Sequence, residues 1–550
     1  MLPDQPAARV GMRTAIFILS ALFLLSAIAG GTTYYVSSSH GADQNSGLSS
    51  TDSWKTIARA NQVHLGPGDF VLFRRGDLWR ETLQPSSSGT REKVITYGAY
   101  GTGARPVISG SNLLDTGSLP VERDQWRYLE PLNTAPASLW NGENRMILVS
   151  SKEQVVTESS WWYDAKNHRL FLKKAEPRNI EIQLRDVNID NHEQSHIVYD
   201  NLDLRDAREG LRLYSWAAQV TDITLRNSII STQPSLSNGT MSAGVYASVH
   251  SGTLSHITIQ NNTFIPYPKG LERWGIYFVR GVSDFRIVGN TFAPAGEDDI
   301  TIWHSAHGLI AENSGGGNGE NTIDVKDSHD VLISQNRADL DGEYNIVVHA
   351  VDPDPLTYNV IVEKNHCTRG GVAGHLTAGI VLLFTRDSKV RHNLVEDAYG
   401  AGIFVNDRET GFHNEISNNV LKGNGTHQVA GAITMEDVVN ADVHDNTVQG
   451  QGSGGFALRL EGGPHTRAVQ ITDNAFFGAP ANMLYISKGA QDTFVADRNS
   501  YHAKRPRFRW ALQEYSFAEW QKASRQDTHS RVAEPALLQS SQISSDTQPN

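Results

Sequence analysis

The sequence predicts an all-β chain wound into a parallel coil of stacked turns, and three observations lead there. An Asn-centred phrase recurs from LRNS at Asn227 through QNNTF at Asn262, GNTF at Asn290, AENS at Asn313, SQNR at Asn336 and EKNH at Asn365. It continues with RHNL at Asn393, SNNV at Asn419, HDNT at Asn446, TDNA at Asn474 and DRNS at Asn499, at intervals of 23 to 35 residues. Each Asn closes a short alternating stretch such as HITIQ or DFRIV, and about ten residues later comes a second one: WGIYFV, DDITIW, NTIDVK, YNIVVH, GIVLLF, GIFVND. Alternation of period two excludes helical repeats of similar length, whose apolar residues fall three and four apart. Finally, 48 glycines in 550 residues supply many turns, with little enrichment in helix formers. Such a repeat fits a coil in which each turn pairs with the next. The variable lengths belong to loops at one corner, and the stacked Asn side chains satisfy each other and the bent backbone.

Taken in chain order, residues 1–29 read as export: Arg9 and Arg13 precede the apolar run Ala15 to Ala29, and Ala27-Ile28-Ala29 fits a small-x-small cleavage site. Met12 is an alternative start, and an uncleaved run would act as a membrane anchor although it is short for a span, which needs roughly 20 residues. Residues 30–110 hold a cap and the first turns. There Trp54, Ile57 and Ala58 have helical spacing after Asp52 or Ser53 as N-cap, suiting a helix over the open end of the coil. Residues 111–191 break the rhythm with a small β-rich insertion containing WWYDAKNHRLFLKK. The repeats occupy 192–500, with Leu202 in the ladder position 25 residues before Asn227. Within 501–530, Ser516 and Glu519 form a capping box ahead of Trp520 and predict one short helix. The Ser/Gln-rich residues 531–550 predict a disordered tail. Cys367 is the sole cysteine, so no internal disulfide forms, and it reads as a small buried residue.

The repeat pattern resembles the right-handed parallel β-helix superfamily, the pectate-lyase-like fold, over residues 192–500. Upstream, YYVSSSHGADQNSG, SWKTIARANQ and LGPGDFVLFRRGDLWRETL resemble the N-terminal part of secreted bacterial β-helix enzymes, and the WWYD segment resembles one common in secreted β-helix glycosidases. The resemblance implies a periplasmic or extracellular chain that acts as a monomer on a polysaccharide without an organic cofactor.

Fold alone does not give function. Aligning the second strands on inward Ile276, Ile300, Ile323, Ile346, Ile380, Ile403 and Ile433 turns Tyr277, Thr301, Asp324, Val347, Val381, Phe404 and Thr434 outward. Two residues further on, Val279, Trp303, Lys326, His349, Leu383, Asn406 and Glu436 also face out. Stacked turns lie roughly 4.8 Å apart, so Trp303, Lys326 and His349 form a row with Asp324 beside Lys326. Asp298 and Asp299 stand one turn earlier, His304 and His307 follow Trp303, and Glu320 and Asp327 flank the turn. A solvated strand face would explain one such strand; the gathering of several turns points to chemistry.

Ile323-Asp324-Val325-Lys326-Asp327 resembles the I-x-x-K-S strand that carries the base lysine in β-helix lyases of the chondroitinase B and alginate lyase class. An arginine one turn later in that class is His349 here, and of its G-E-x-E calcium acids only Glu320 is kept, offset by one residue. The resemblance implies β-elimination on a uronate-containing polysaccharide. A calcium ion on Glu320, Asp324 and Asp298 would neutralise the carboxylate, Lys326 would take the proton, and His349 or water would protonate the leaving oxygen. Trp303, His304, Tyr277 and Arg280 are the expected sugar contacts. An Asp324 paired with Lys326 would oppose the base role by raising its pKa. Two alternatives stand: an inverting hydrolase using Asp298, Asp299 and Asp324, and a non-catalytic glycan-binding coil presenting Tyr277, Trp303 and Trp274. The net charge of −12 excludes a general nucleic-acid binder.

Overall fold

One turn, residues 321–339, shows how the chain winds. The Asn321–Lys326 strand passes a corner at Asp327 (φ 45°) into the His329–Ser334 strand; Gln335 takes φ 59°, Asn336 follows, and the short Arg337–Asp339 strand completes the turn before a loop returns to Tyr344–His349. The computed structural model describes residues 30–534 apart from 124, 143, 177, 234–241, 266–273, 352–356, 372–376, 409–410, 426–429, 451–454 and 479–481. Repetition of the turn builds three long sheets. The first runs from Thr33–Val36 to Phe494–Asp497, the second from Leu78–Trp79 to Arg531–Ala533, and the third from Val187–Asp190 to Gln513–Tyr515. Pairing between successive turns is parallel, and the antiparallel hairpin of Arg507–Trp510 with Gln513–Tyr515 ends the third sheet.

The Asn ladder runs along the corner between the first and second sheets. Asn336 Oδ1 accepts from the N–H and the Nδ2 of Asn313, both at 3.0 Å, while its own Nδ2 donates to the Ile310 carbonyl and to Asn365 Oδ1, both at 2.9 Å. The same side-chain link joins every rung from Asn262 to Asn499. Each rung thereby satisfies a buried corner whose preceding residue sits in the left-handed region, a conformation costing ordinary side chains about 1–2 kcal/mol. The ladder starts one residue later than LRNS suggests. Asn227 itself holds the positive φ of 54°, and Ser228 takes the ladder position, its N–H donating to Asn262 Oδ1 at 2.9 Å. Leu202 is the rung before Ser228, to whose Oγ its N–H donates at 3.1 Å.

The turn has three strands where the pattern predicted two. The extra strand directly follows each Asn and turns one side chain inward, among them Phe264, Phe292, Val395, Phe476 and Tyr501; Cys367 holds this position in its turn and is fully buried. Ile276, Ile300, Ile323, Ile346, Ile380, Ile403 and Ile433 stack in register along the third sheet and are fully buried, as aligned from sequence.

The ends and the insertion differ in detail from expectation. The N-terminal helix spans Ile57–Asn61 and is capped by Thr56, whose Oγ1 accepts from Arg59 N–H at 3.0 Å, and not by Asp52 or Ser53. Trp54 precedes it in a bridge to Val36, and Ile57 with Ala60 reaches the core, while Ala58 is exposed. The insertion folds as two small antiparallel-rich sheets between Ser111 and Gln183 with their own cores around Trp161 and Phe171. The coil resumes at Val187–Asp190, short of residue 192. At the far end the Phe517–Ser524 helix carries the expected capping box, Glu519 Oε2 accepting from Ser516 N–H at 2.9 Å, and seats Trp520 against Phe508. Arg531–Ala533 adds a last strand where disorder was expected. The export segment 1–29 and residues 535–550 of the expected tail lie outside the described residues.

Candidate functional site on the third sheet

Parallel pairing carries Trp303 onto Lys326 and Lys326 onto His349, and places Thr301, Asp324 and Val347 beside them. The row is therefore the one aligned from sequence. At its centre Asp324 is almost wholly buried. Its Oδ2 accepts from Lys326 Nζ at 2.7 Å, and its Oδ1 lies 3.0 Å from His349 Nε2. Burial favours protonation of Asp324, but His349 and Lys326 outweigh it and hold the carboxyl below its ordinary range. Burial likewise pulls on the Lys326 ammonium, and the Asp324 carboxylate, helped by Asp298, outweighs that and holds it above the ordinary lysine value. The 2.7 Å pairing with Asp324 favours the Lys326 ammonium and so opposes the base role expected of it, for the reason the Asp324 position foreshadowed.

Trp303 is fixed from the next turn: its Nε1 donates to Asp327 Oδ2 at 2.8 Å, while Asp327 Oδ1 accepts from Val351 N–H at 2.8 Å. His304 stacks on Trp303 (centroids 5.2 Å apart, 17° between planes) with its Nε2 4.0 Å from the same carboxylate, and Lys326 Nζ stands 5.9 Å from the Trp303 ring centre. Asp327, which sequence reasoning only noted as a flanking acid, is what locks the aromatic wall. The signal was its place at a corner where Asp tolerates positive φ.

Other predicted residues lie elsewhere. Asp298 is buried and bonded to structure: Oδ2 accepts from Thr301 Oγ1 at 2.6 Å, and Oδ1 from the N–H and Nδ2 of Asn321 at 3.0 and 2.9 Å. Burial first, then the negative Asp324, push its pKa well up. Asp299 turns inward: its Oδ2 accepts from Gly316 N–H at 3.0 Å, and a Cβ on Gly315 would meet that oxygen at 1.9 Å. Asp299 is fully buried, its carboxylate spent on the Gly316 backbone in the second sheet, which removes it from the outer face where it was expected to act. Tyr277 is buried one turn before Thr301, in register with it, and stacks on Trp274 (4.4 Å, 23°). Val279 falls in a bulge, because Phe278 pairs with Ala247 and Arg280 with Ser248; Arg280 lies exposed at the strand end.

The calcium set fails a test of fit. Glu320, Asp324 and Asp298 do not form a group of ligand atoms gathered on one point, the one such group among the described residues being His307, His329 and Asp330. Both Asp324 oxygens and both Asp298 oxygens already accept hydrogen bonds. Beyond His349 the row turns apolar, with Val347, Val381, Phe404 and Leu383 packed together, then polar again at Asn406, Glu436 and Glu461.

A family described as "right handed beta helix region" matches residues 355–476. A lacto-N-biosidase of Bifidobacterium longum subsp. longum is 25% identical over an alignment of 364 residues that covers 56% of this chain and 22% of that protein, so the chain spans about a fifth of that relative's length. Among solved structures, the GH136 lacto-N-biosidase of Eubacterium ramulus is 15% identical with TM-score 0.39, covering 88% of this chain and 68% of that one. A mannuronic-acid-specific polysaccharide family 6 lyase from human gut microbiota is 12% identical with TM-score 0.44, covering 91% of each chain. The A-module of the Azotobacter vinelandii mannuronan C-5 epimerase AlgE6 is 13% identical with TM-score 0.42, covering 57% and 84%. With its ladder, its three stacked parallel sheets and the matched repeats, the chain is a right-handed parallel β-helix protein.

Proposed function

We propose that the chain is an exported carbohydrate-active enzyme that cleaves a uronate-containing polysaccharide by β-elimination on the outer face of the third sheet. The observation carrying this reading is the buried Asp324 carboxylate that grips Lys326 on one oxygen and His349 on the other. Elimination needs a cation at the uronate carboxylate, a base at the carbon α to it, and a proton for the leaving oxygen. Lys326, held charged, supplies the cation and stabilises the enolate as it forms. His349 donates Nε2–H to Asp324, so Nδ1 carries the lone pair that accepts the proton, the partner carboxylate fixing the tautomer as it does for other catalytic imidazoles. The C–H proton passes to His349, the glycosidic C–O bond at the carbon β to the carboxylate breaks, a C=C bond forms between the α and β carbons, water at the open face protonates the departing oxygen, and the hydroxide left is neutralised by the proton that His349 took. Trp303, braced by Asp327, offers a flat face for a sugar ring. Lys326 thus takes the role that the lyase resemblance implied for calcium, and His349 the one it implied for Lys326.

Hydrolysis is the second reading, favoured by the sequence likeness to a lacto-N-biosidase. It would use Asp298, pushed up, against Asp324, held down, a divergence expected of an acid and its partner. The test is the purified chain on a panel of acidic and neutral glycans, following ultraviolet absorbance and reducing ends together. Both rising, and both lost in His349→Gln, supports elimination. Reducing ends without absorbance refutes it in favour of hydrolysis, and binding without turnover refutes both.

A further inference from the structure

Just past the corner leading from the third sheet into the first, near the start of each first-sheet segment, stack residues in the left-handed region: Asp284, His307, Asp330, Asn359, Asp387 and His413, with φ between 51° and 58°. Asp, Asn and His tolerate that conformation better than other side chains, which accounts for their presence, and an ordinary corner pair such as His413 with Asp387 (3.5 Å) needs no further explanation. One corner differs. Beside Asp330 the sheet position is a second imidazole, His329, whose Nδ1 lies 2.7 Å from Asp330 Oδ2, while His307 Nε2 from the previous turn lies 3.7 Å from the same oxygen. All three ligand atoms fall within 4.8 Å of one another.

The surroundings hold these groups in place. His329 stacks on Tyr358 with ring centres 4.5 Å apart and planes within 4°, and the second oxygen of Asp330 accepts from Asn359 Nδ2. Donor atoms around an ion bound at about 2.0–2.2 Å sit roughly 3–4 Å apart, and the observed separations bracket that spacing. We propose that His307, His329 and Asp330 bind one borderline divalent cation of the zinc class, with water completing its coordination. Two imidazoles with one carboxylate suit zinc, nickel, cobalt or iron(II) and disfavour calcium and magnesium, which want oxygen alone. Asn359 is the outer partner orienting the carboxylate, and Tyr358 orients an imidazole. The ion would tie two consecutive turns together just beyond the corner that follows Lys326, and none of its ligands belongs to the chemistry proposed above.

The experiment uses the untagged, metal-stripped full chain, titrated with Zn2+ by calorimetry and with Co2+ by visible absorption. One equivalent should bind, and Co2+ should give the bands of nitrogen and oxygen coordination. His329→Phe, which keeps the ring on Tyr358, and Asp330→Asn should each weaken Zn2+ at least tenfold. Asn359→Gly, which keeps the backbone conformation, should weaken it about tenfold. His413→Asn, at an equivalent corner lacking a second imidazole, should leave binding unchanged. Two results would overturn the site: no saturable binding up to about 1 mM Zn2+, or undiminished binding in the exposed-site double variant His307→Asn/His329→Phe. Matching unfolding midpoints without metal confirm that the variants fold.

Discussion

An Asp324→Asn substitution keeps the size of the side chain and removes the charge that Lys326 and His349 share. The side chain of Asp324 is 4% exposed, against 23% for Lys326 and 22% for His349. Removing one partner of a buried ion pair costs about 3–5 kcal/mol. Lys326 keeps part of its surface in water and the amide oxygen still accepts one bond, worth about 1 kcal/mol, so the expected loss is about 2–3 kcal/mol. Asp324 is held below its unfolded value and so stabilises above about pH 4, losing this as pH falls; Lys326 is raised and stabilises below about pH 10, losing this as pH rises. Between those limits the pair's contribution is constant, and urea unfolding at pH 7 reads it whole. Lys326→Met, combined with Asp324→Asn in a double-mutant cycle, should couple by about 1–3 kcal/mol. On the glycan that the panel identifies, the folded variant should lose about 10²–10⁴ in kcat, the usual weight of an oriented acid–base group. A stability within about 0.5 kcal/mol of the native chain with additive single effects would refute the buried pair, and full turnover would refute the His349–Asp324 base.

Burial pushes Asp341 up to about 7 despite bonds from Thr322, Asn345 and Asn318. Its unfolded value is lower, so the native chain loses stability as pH rises towards 7, and Asp341→Asn should gain about 3 kcal/mol relative to the native chain between pH 5 and 8; a pH-independent difference would contradict this. Asn336→Ala strands the N–H and Nδ2 of Asn313 and the Ile310 carbonyl, which at about 1–3 kcal/mol for each group left unpaired predicts a loss of about 4 kcal/mol by urea unfolding. A loss below about 1 kcal/mol would mean the ladder is not dry. Gly315→Ala drives a methyl into the Asp299 carboxylate and should cost about 1–3 kcal/mol by thermal unfolding; an unchanged midpoint would show that Asp299 does not point inward.

Much of this molecule was legible because a coil of stacked turns is nearly one-dimensional. Equivalent residues superimpose by translation, so aligning apolar alternation on Ile300, Ile323 and Ile346 gave the true register of Trp303, Lys326 and His349 without knowledge of any loop. The Asn ladder was equally visible, and its one slip, Asn227 for Ser228, arose because the left-handed position before each rung also selects Asn. The third strand escaped because two or three residues, as in Thr263–Phe264, are too few to show alternation.

The amino-acid sequence therefore determined the coil of stacked turns and the membership of the outward row, since these depend on period and translation alone. Only the tertiary structure decided the chemical state of that row. Whether Lys326 is a base or a cation turns on 2.7 Å to Asp324 in a buried setting, and whether Asp299 faces substrate or core turns on the space left by Gly315 in the neighbouring sheet. Charge states depend on distance and desolvation between side chains, and neither is written in the order of residues along one strand.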